Sequence, residues 1–209
     1  MTRKRRFNKG FTIAELMIAT SVFSVVLLVG AAAFVTLGRS YYKGVTVTQT
    51  EEVAKQILNN VTSSIRLSTT VSPLNQATGG RSYYCVGGHR YSFILFQEVN
   101  TSNHDNASRF GLLADEPNGD GCGNPFDVPT TPLVNPTELL GNNMRLLAFS
   151  ITPLSTGSAY SVDVTVAFGD DSVLSNPRSP NAQCQGGGNQ TQFCSITHLS
   201  TVAYQGVNI

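Results

Sequence analysis

Lys9-Gly10-Phe11-Thr12-Ile13-Ala14-Glu15-Leu16 is the stretch on which the reading of this chain turns. A basic leader ends there on a small residue, and an apolar segment begins at once. From Phe11 to Leu37 the only ionisable side chain is Glu15, and Leu16 to Leu37 is a run of 22 uncharged residues. As a helix that run is about 33 Å long, enough to cross a hydrocarbon core of roughly 30 Å. A carboxylate at the centre of such a helix costs roughly 2.5–3.5 kcal/mol on insertion scales and less towards its end, and ionisable residues within spans commonly have a functional partner. The spacing therefore predicts that a positive group meets Glu15.

Upstream of the junction lie Arg3, Lys4, Arg5, Arg6 and Lys9, with no acid among them. An excess of basic residues on one flank keeps that flank in the cytoplasm, so Met1 to Gly10 is predicted to stay inside and the remainder to face outward. The 209 residues hold 14 Lys+Arg against 13 Asp+Glu, a formal charge of +1. Without the leader's five basic residues, nine remain against 13 acids, a charge of −4. Such a mildly acidic chain lacks the clustered Lys and Arg on which nucleic-acid binding rests. An ordinary secretory signal fits less well, because it is cut after an apolar region of only about 7–15 residues. A plain signal anchor, with Glu15 resting near the headgroups without a role, is the remaining alternative.

The Gly-Phe-Thr-x-x-Glu spacing behind a basic leader resembles the prepilin signal of type IV pilins and type II secretion pseudopilins. The resemblance is specific from Met1 to about Leu37 and loose beyond it. It implies cleavage between Gly10 and Phe11 by a prepilin peptidase, which would also methylate the new amine of Phe11. It further implies that Glu15 pairs with the N-terminal amine of a neighbouring subunit during filament assembly. The chain departs from many major pilins in one respect: they kink this helix at a proline, whereas no Pro occurs here before Pro73. Gly30 and Gly38 are the weak points left.

Beyond the membrane segment the helix is predicted to continue. Val53, Ala54, Ile57, Leu58, Val61 and Ile65 recur at three- and four-residue spacing and share one face. Glu51, Glu52, Lys55, Gln56, Asn59 and Asn60 fall largely on the other. Gly38 and Gly44 mark the expected transition, and Val71-Ser72-Pro73 with Asn75 to Gly80 ends the helix. From Phe11 to Leu67 such a helix would measure roughly 85 Å, a length suited to a filament spine. The expected organisation is a leader at 1–10, a transmembrane and filament-core helix at 11–38, its amphipathic continuation at 39–70, and a β-rich head at 71–209.

In the head, Tyr91 to Val99 reads as one central strand and Phe110 to Leu113 as a weaker one. Met144 to Thr152 and Ala159 to Phe168 read as a hairpin about Pro153 to Ser158. Tyr160, Val162, Val164, Val166 and Phe168 alternate with Ser161, Asp163, Thr165 and Ala167, which predicts one face buried against the helix. Asn100 to Ser108 and Leu174 to Gln192 read as long surface loops. Phe193 to Tyr204 resembles the closing strand or turn of minor pilins of the PilW-like and pseudopilin J kind. The predicted fold class is α+β, a long N-terminal helix packed on an antiparallel sheet, which is the pilin arrangement.

Cys85, Cys122, Cys184 and Cys194 make an even count in a segment predicted to be exported, which reads as two disulfides. Three pairings are open. Cys184–Cys194 with Cys85–Cys122 is preferred, because the glycines at 186 to 188 can bend the shorter loop closed. No CxxC or Cys/His spacing suggests zinc. Asp115-Glu-Pro-Asn-Gly-Asp-Gly-Cys122 offers oxygen ligands that could hold calcium, but lacks the spacing of an EF-hand and reads better as a solvated turn. His89, His104 and His198 are widely separated and read as loop or surface residues. No metal, cofactor or enzymatic activity is expected.

The resemblance implies a structural subunit of a type IV pilus-like filament, minor rather than major. Its partners would be the prepilin peptidase, other pilin subunits, an inner-membrane assembly platform, and lipid before assembly. It would end in a cell-surface or periplasmic filament. The alternative is a type II secretion pseudopilin, or a competence or adhesion tip subunit whose head grips DNA or a surface. DNA capture would need Arg81, Arg90, Arg109, Arg145 and Arg178, which are dispersed in sequence, to converge.

Overall fold

The computed structural model describes residues 10–77, 80–100, 110–117, 122–123, 133–155, 157–185 and 191–206. One helix, α1 (Ile13–Leu67), runs for 55 residues through Gly30, Gly38 and Gly44 without a break. The chain divides into two units, one ending at Tyr41 and the other beginning at Tyr42.

In the first unit the apolar side chains are exposed, from Leu16 and Met17 to Phe34 and Leu37. Its hydroxyls bond back to the helix's own carbonyls: Ser21 Oγ donates to Ile18 O at 2.8 Å, Ser24 Oγ to Thr20 O at 2.8 Å, and Thr36 Oγ1 to Ala32 O at 3.0 Å. Thr20 and Ser40 do the same. A helix that satisfies its backbone and its hydroxyls internally meets the requirement that lipid imposes.

The second unit sets the remainder of α1 against antiparallel sheets. Its strands, in chain order, are β1 (Asn75–Gln76), β2 (Arg81–Val86), β3 (His89–Ile94), β4 (Glu98–Val99), β5 (Leu112–Asp115), β6 (Thr137–Glu138), β7 (Met144–Pro153), β8 (Ala159–Phe168), β9 (Leu174–Ser175), β10 (Gln183–Cys184) and β11 (Ser195–Tyr204). They form a five-stranded sheet ordered β1-β2-β3-β5-β6, a four-stranded sheet ordered β11-β8-β7-β4, and a β9–β10 ribbon. This is an α+β pilin-like fold.

Ala54, Ile57, Leu58, Val61 and Ile65 on α1 are buried with Val162, Val164 and Val166 of β8, so the helical and strand periodicities meet in one core. Three rings join the two larger sheets across that core. Phe149 of β7 lies edge-on to Tyr84 of β2 and Phe93 of β3, with centroids 5.6 and 5.3 Å apart. Tyr91 locks helix to sheet: its hydroxyl donates to Asn60 Oδ1 at 2.6 Å and accepts from Ser64 Oγ at 2.7 Å. Burial pushes that phenol up to about 12, opposed by the bond from Ser64.

The structure departs from the sequence reading in three places. Tyr91 to Val99 is not one strand. The chain turns at Phe96, whose φ is 65°, and β3 and β4 join different sheets. Phe96 N–H donates to Leu146 O at 2.8 Å across that turn. Second, Arg81 to Val86, to which no element was assigned, is a strand paired with β3 through the Gly87-Gly88 turn. Gly87 has φ 59°, and a Cβ there would come within 2.8 Å of Ser68 Cβ, so the turn and its packing both require glycine. Third, part of the expected surface loop from Leu174 to Gln192 is interior. Leu174 and Ala182 form a second apolar cluster with Leu147, Ala167, Val173 and Cys194. Strand alternation puts Leu146 in the first cluster and Leu147 in the second, and the bulge between Leu146 and Ala148 returns Phe149 and Ile151 to the first. The loop at Asn100 to Ser108 lies outside the described residues apart from Asn100.

Candidate functional site

The junction of leader and helix is built by local chemistry. Gly10 and Phe11 are exposed and precede α1, with Phe11 84% accessible. Thr12 is the cap. Its backbone N–H donates to Glu15 Oε2 at 2.9 Å, its Oγ1 to the same oxygen at 2.9 Å, and Glu15 N–H returns a bond to Thr12 Oγ1 at 3.3 Å. This reciprocal pairing is a capping box, which satisfies backbone donors left free at a helix start. Sequence reasoning gave Glu15 a charge partner and missed this second role, although Thr-x-x-Glu ahead of an apolar run signals it. Glu15 Oε1 accepts no hydrogen bond among the described residues.

Beyond the cap the helix is long and apolar enough to cross a membrane, and its most apolar window has no buried residue. Surface of that kind is stable only against lipid or other apolar helices.

In the head, Cys85 is bonded to Cys122 and Cys184 to Cys194, with Cα–Cα distances of 6.0 and 5.7 Å. No cysteine is free among the described residues.

Asp115, the first acid of the calcium candidate, is committed elsewhere. Arg90 Nε donates to its Oδ1 at 2.9 Å, Arg90 Nη2 donates to Oδ2, and both side chains are fully buried. Residues 118–121 of that loop lie outside the described residues. Among the described residues no three His, Cys, Asp or Glu side chains are grouped to hold a metal ion.

The arginines are spread over different jobs. Arg145 is buried, and donates to Glu98 Oε2 at 3.0 Å, to Asp171 Oδ1 at 2.7 Å and to Gly169 O at 3.0 Å. Arg178 lies 4.0 Å from Asp171. Arg109 is outside the described residues. Among the rest, Arg90 and Arg145 are interior and neutralised, so they add nothing to a basic surface for DNA. Partial burial holds the Glu98 carboxyl above its ordinary range, Arg145 pulling it down and Asp171 and Asp170 pushing it up. Asp170 is held low by bonds from Ser172.

Of the histidines, His104 lies outside the described residues. His198 is a surface residue, on the exposed face of β11, and shares a 3.0 Å bond with Thr165. His89 opens β3, 3.5 Å from Glu116. Both line a cleft of about 920 Å³ whose walls include Gln56, Asn59, Asn60 and Asn135. Amides can position a polar ligand there.

Comparison with known proteins bears on the N-terminus. The model of the prokaryotic N-terminal methylation motif matches residues 5–31, which hold the junction, the capping box and most of the uncharged run. No curated protein and no solved structure matches the chain. The exposed apolar helix, its Thr12–Glu15 cap and this motif coincide in one segment: the chain carries a type IV pilin-like prepilin signal.

Proposed function

We propose that this protein is a structural subunit of a type IV pilus-like filament, of the minor pilin kind. It is made as a single-pass membrane precursor with the leader in the cytoplasm and the head outside. The methylation motif at residues 5–31 carries the reading, and the exposed apolar face of α1 supports it. Prepilin peptidase cuts between Gly10 and Phe11 and methylates the Phe11 amine. The subunit then leaves lipid for the filament, where the same apolar side chains pack on neighbouring subunits at the assembly platform.

Glu15 has a distinct task at each stage. In the free chain it caps its own helix through Oε2. In the filament its charge meets the Phe11 amine of an adjacent subunit. A carboxylate buried there without a partner would be strongly unfavourable, so this pairing fixes axial register.

Intact mass and N-terminal sequencing of the protein, expressed with and without a prepilin peptidase, test the reading. A chain beginning at methylated Phe11 is expected; a Met1 start beside an active peptidase would leave only a signal-anchored protein. Glu15→Gln separates the two tasks, because it keeps the bonds to Thr12 and removes the charge. It is expected to insert in the membrane normally yet fail to join filaments, and normal incorporation would overturn the pairing.

A further inference from the structure

Phe193 is an exposed aromatic that the core does not explain. It ends the short 3-10 turn Thr191–Phe193, is 46% accessible, and directly precedes Cys194, which is fully buried. The head spends specific contacts to hold this turn against the start of its helical part. The rings of Tyr42 and Phe193 are 6.2 Å apart. Lys43 Nζ donates to Cys194 O at 2.7 Å, and Thr46 Oγ1 donates to Gln192 O at 3.0 Å. A residue 151 positions away in sequence from Tyr42 is thereby fixed beside it, with its ring turned outward.

Position along the chain gives that placement a meaning. The uncharged run ends at Leu37, and Tyr42 follows five residues later, about 7–8 Å of helix. The polar layer on each side of a hydrocarbon core is of similar depth, since a bilayer measures roughly 40–45 Å with headgroups against roughly 30 Å without. Tyr and Trp rings collect in that layer, because it is apolar at one end and wet at the other. Charge agrees as well. No Asp or Glu occurs between Glu15 and Glu51 or after Asp171, while Arg39 and Lys43 are basic. Both segments that form this corner of the head thus lack the carboxylates that anionic headgroups would repel.

We propose that Tyr42, Lys43 and Phe193 form an interfacial foot that rests in the phospholipid headgroup layer while the subunit awaits assembly. The inference depends on the membrane-spanning reading of the helix and adds to it a lipid contact made by the head. The Cys184–Cys194 disulfide is the part of the head that presents Phe193. The foot limits how the head tilts over the bilayer, so that the subunit reaches the assembly platform in a restricted orientation.

The chain contains no tryptophan, so a single introduced Trp is a unique reporter. Full-length protein carrying Phe23→Trp, Tyr42→Trp, Phe193→Trp or Tyr204→Trp is reconstituted in vesicles of phosphatidylcholine and phosphatidylglycerol. Their acyl chains are brominated either near the headgroup or near the bilayer centre. Phe193→Trp and Tyr42→Trp are expected to emit to the blue of Tyr204→Trp and to lose intensity chiefly to the shallow bromines. Phe23→Trp should lose intensity chiefly to the deep bromines, and Tyr204→Trp to neither. If Phe23→Trp is quenched while Phe193→Trp behaves like Tyr204→Trp, the helix spans but the foot does not exist. An unquenched Phe23→Trp would remove the membrane-spanning reading and the foot with it.

Discussion

The two units of this chain satisfy their polar groups in opposite ways. Between Thr20 and Ser40 every serine and threonine hydroxyl is bonded to a carbonyl three or four residues back. In the head, hydroxyls on the helix such as Thr50 still bond four residues back, but the buried charges look to distant residues: Arg90 to Asp115 and Arg145 to Glu98, separated by 25 and 47 positions. The first arrangement leaves a surface that asks nothing of its surroundings except apolarity. The second makes the head's stability depend on particular partners. A truncation should therefore be nearly silent to head unfolding in one unit and costly in the other.

The largest effect is expected where a charge would be stranded. Asp115→Ala leaves the buried Arg90 guanidinium without its carboxylate and should cost about 3–5 kcal/mol, read from urea unfolding followed by head fluorescence of the tyrosines. Ser24→Ala, its counterpart in the apolar helix, should leave that transition unmoved. Next come the two apolar faces of α1. Ile57 is fully buried, and Ile57→Ala should destabilise the head by about 2–5 kcal/mol. Leu27 is 55% accessible, and Leu27→Ala should shift only membrane or filament association. Equal losses from both in the isolated protein would collapse the distinction between the units.

Glu98 offers a smaller, pH-dependent contrast. Its carboxyl, raised above the ordinary value of 4.5 by burial, binds a proton more tightly folded than unfolded. Its contribution to stability is complete below pH 4.5 and is lost as pH rises through the raised folded value. Glu98→Gln removes that dependence, so wild type should lose stability relative to the variant across the weakly acidic range. Parallel urea midpoints at every pH would discard the assignment. The smallest effect belongs to the surface pair Lys55–Glu51, 3.7 Å apart and 60% and 45% exposed. Lys55→Ala should cost under about 0.5 kcal/mol, near the resolution of the same unfolding experiment.

These contrasts also mark what the amino acids disclose by themselves. A 22-residue uncharged run and a face repeating every three or four positions are read directly, because each states its environment through local pattern. The β7–β8 hairpin was legible for the same reason: Val162, Val164 and Val166 alternate with polar neighbours. Arg90 and Asp115 were not, since a charged side chain gives no sequence sign that it will be buried against a partner on another strand. Leu174 and Ala182 sit among Ser, Asn and Pro, and their burial depends on a second cluster assembled from Leu147, Ala167 and Cys194 on distant strands and turns. Phe96 shows the same limit, because an aromatic, β-branched run says strand on both sides of a turn that tertiary packing imposes. The Thr12–Glu15 cap is legible as well, because Thr-x-x-Glu ahead of an apolar run is the local signature of those hydrogen bonds.

The contacts at Lys43 and Thr46 have a mechanical counterpart at the far end of the same helix. Gly206, just past β11, passes so close to the Arg66 carbonyl that any side chain there would collide with it. The helical part of the head is therefore stitched near Lys43 to the residues before β11, and near Arg66 to the residue beyond it. Tension applied along the helix axis would load both stitches and the apolar face between them together, in shear, rather than peeling them one after another.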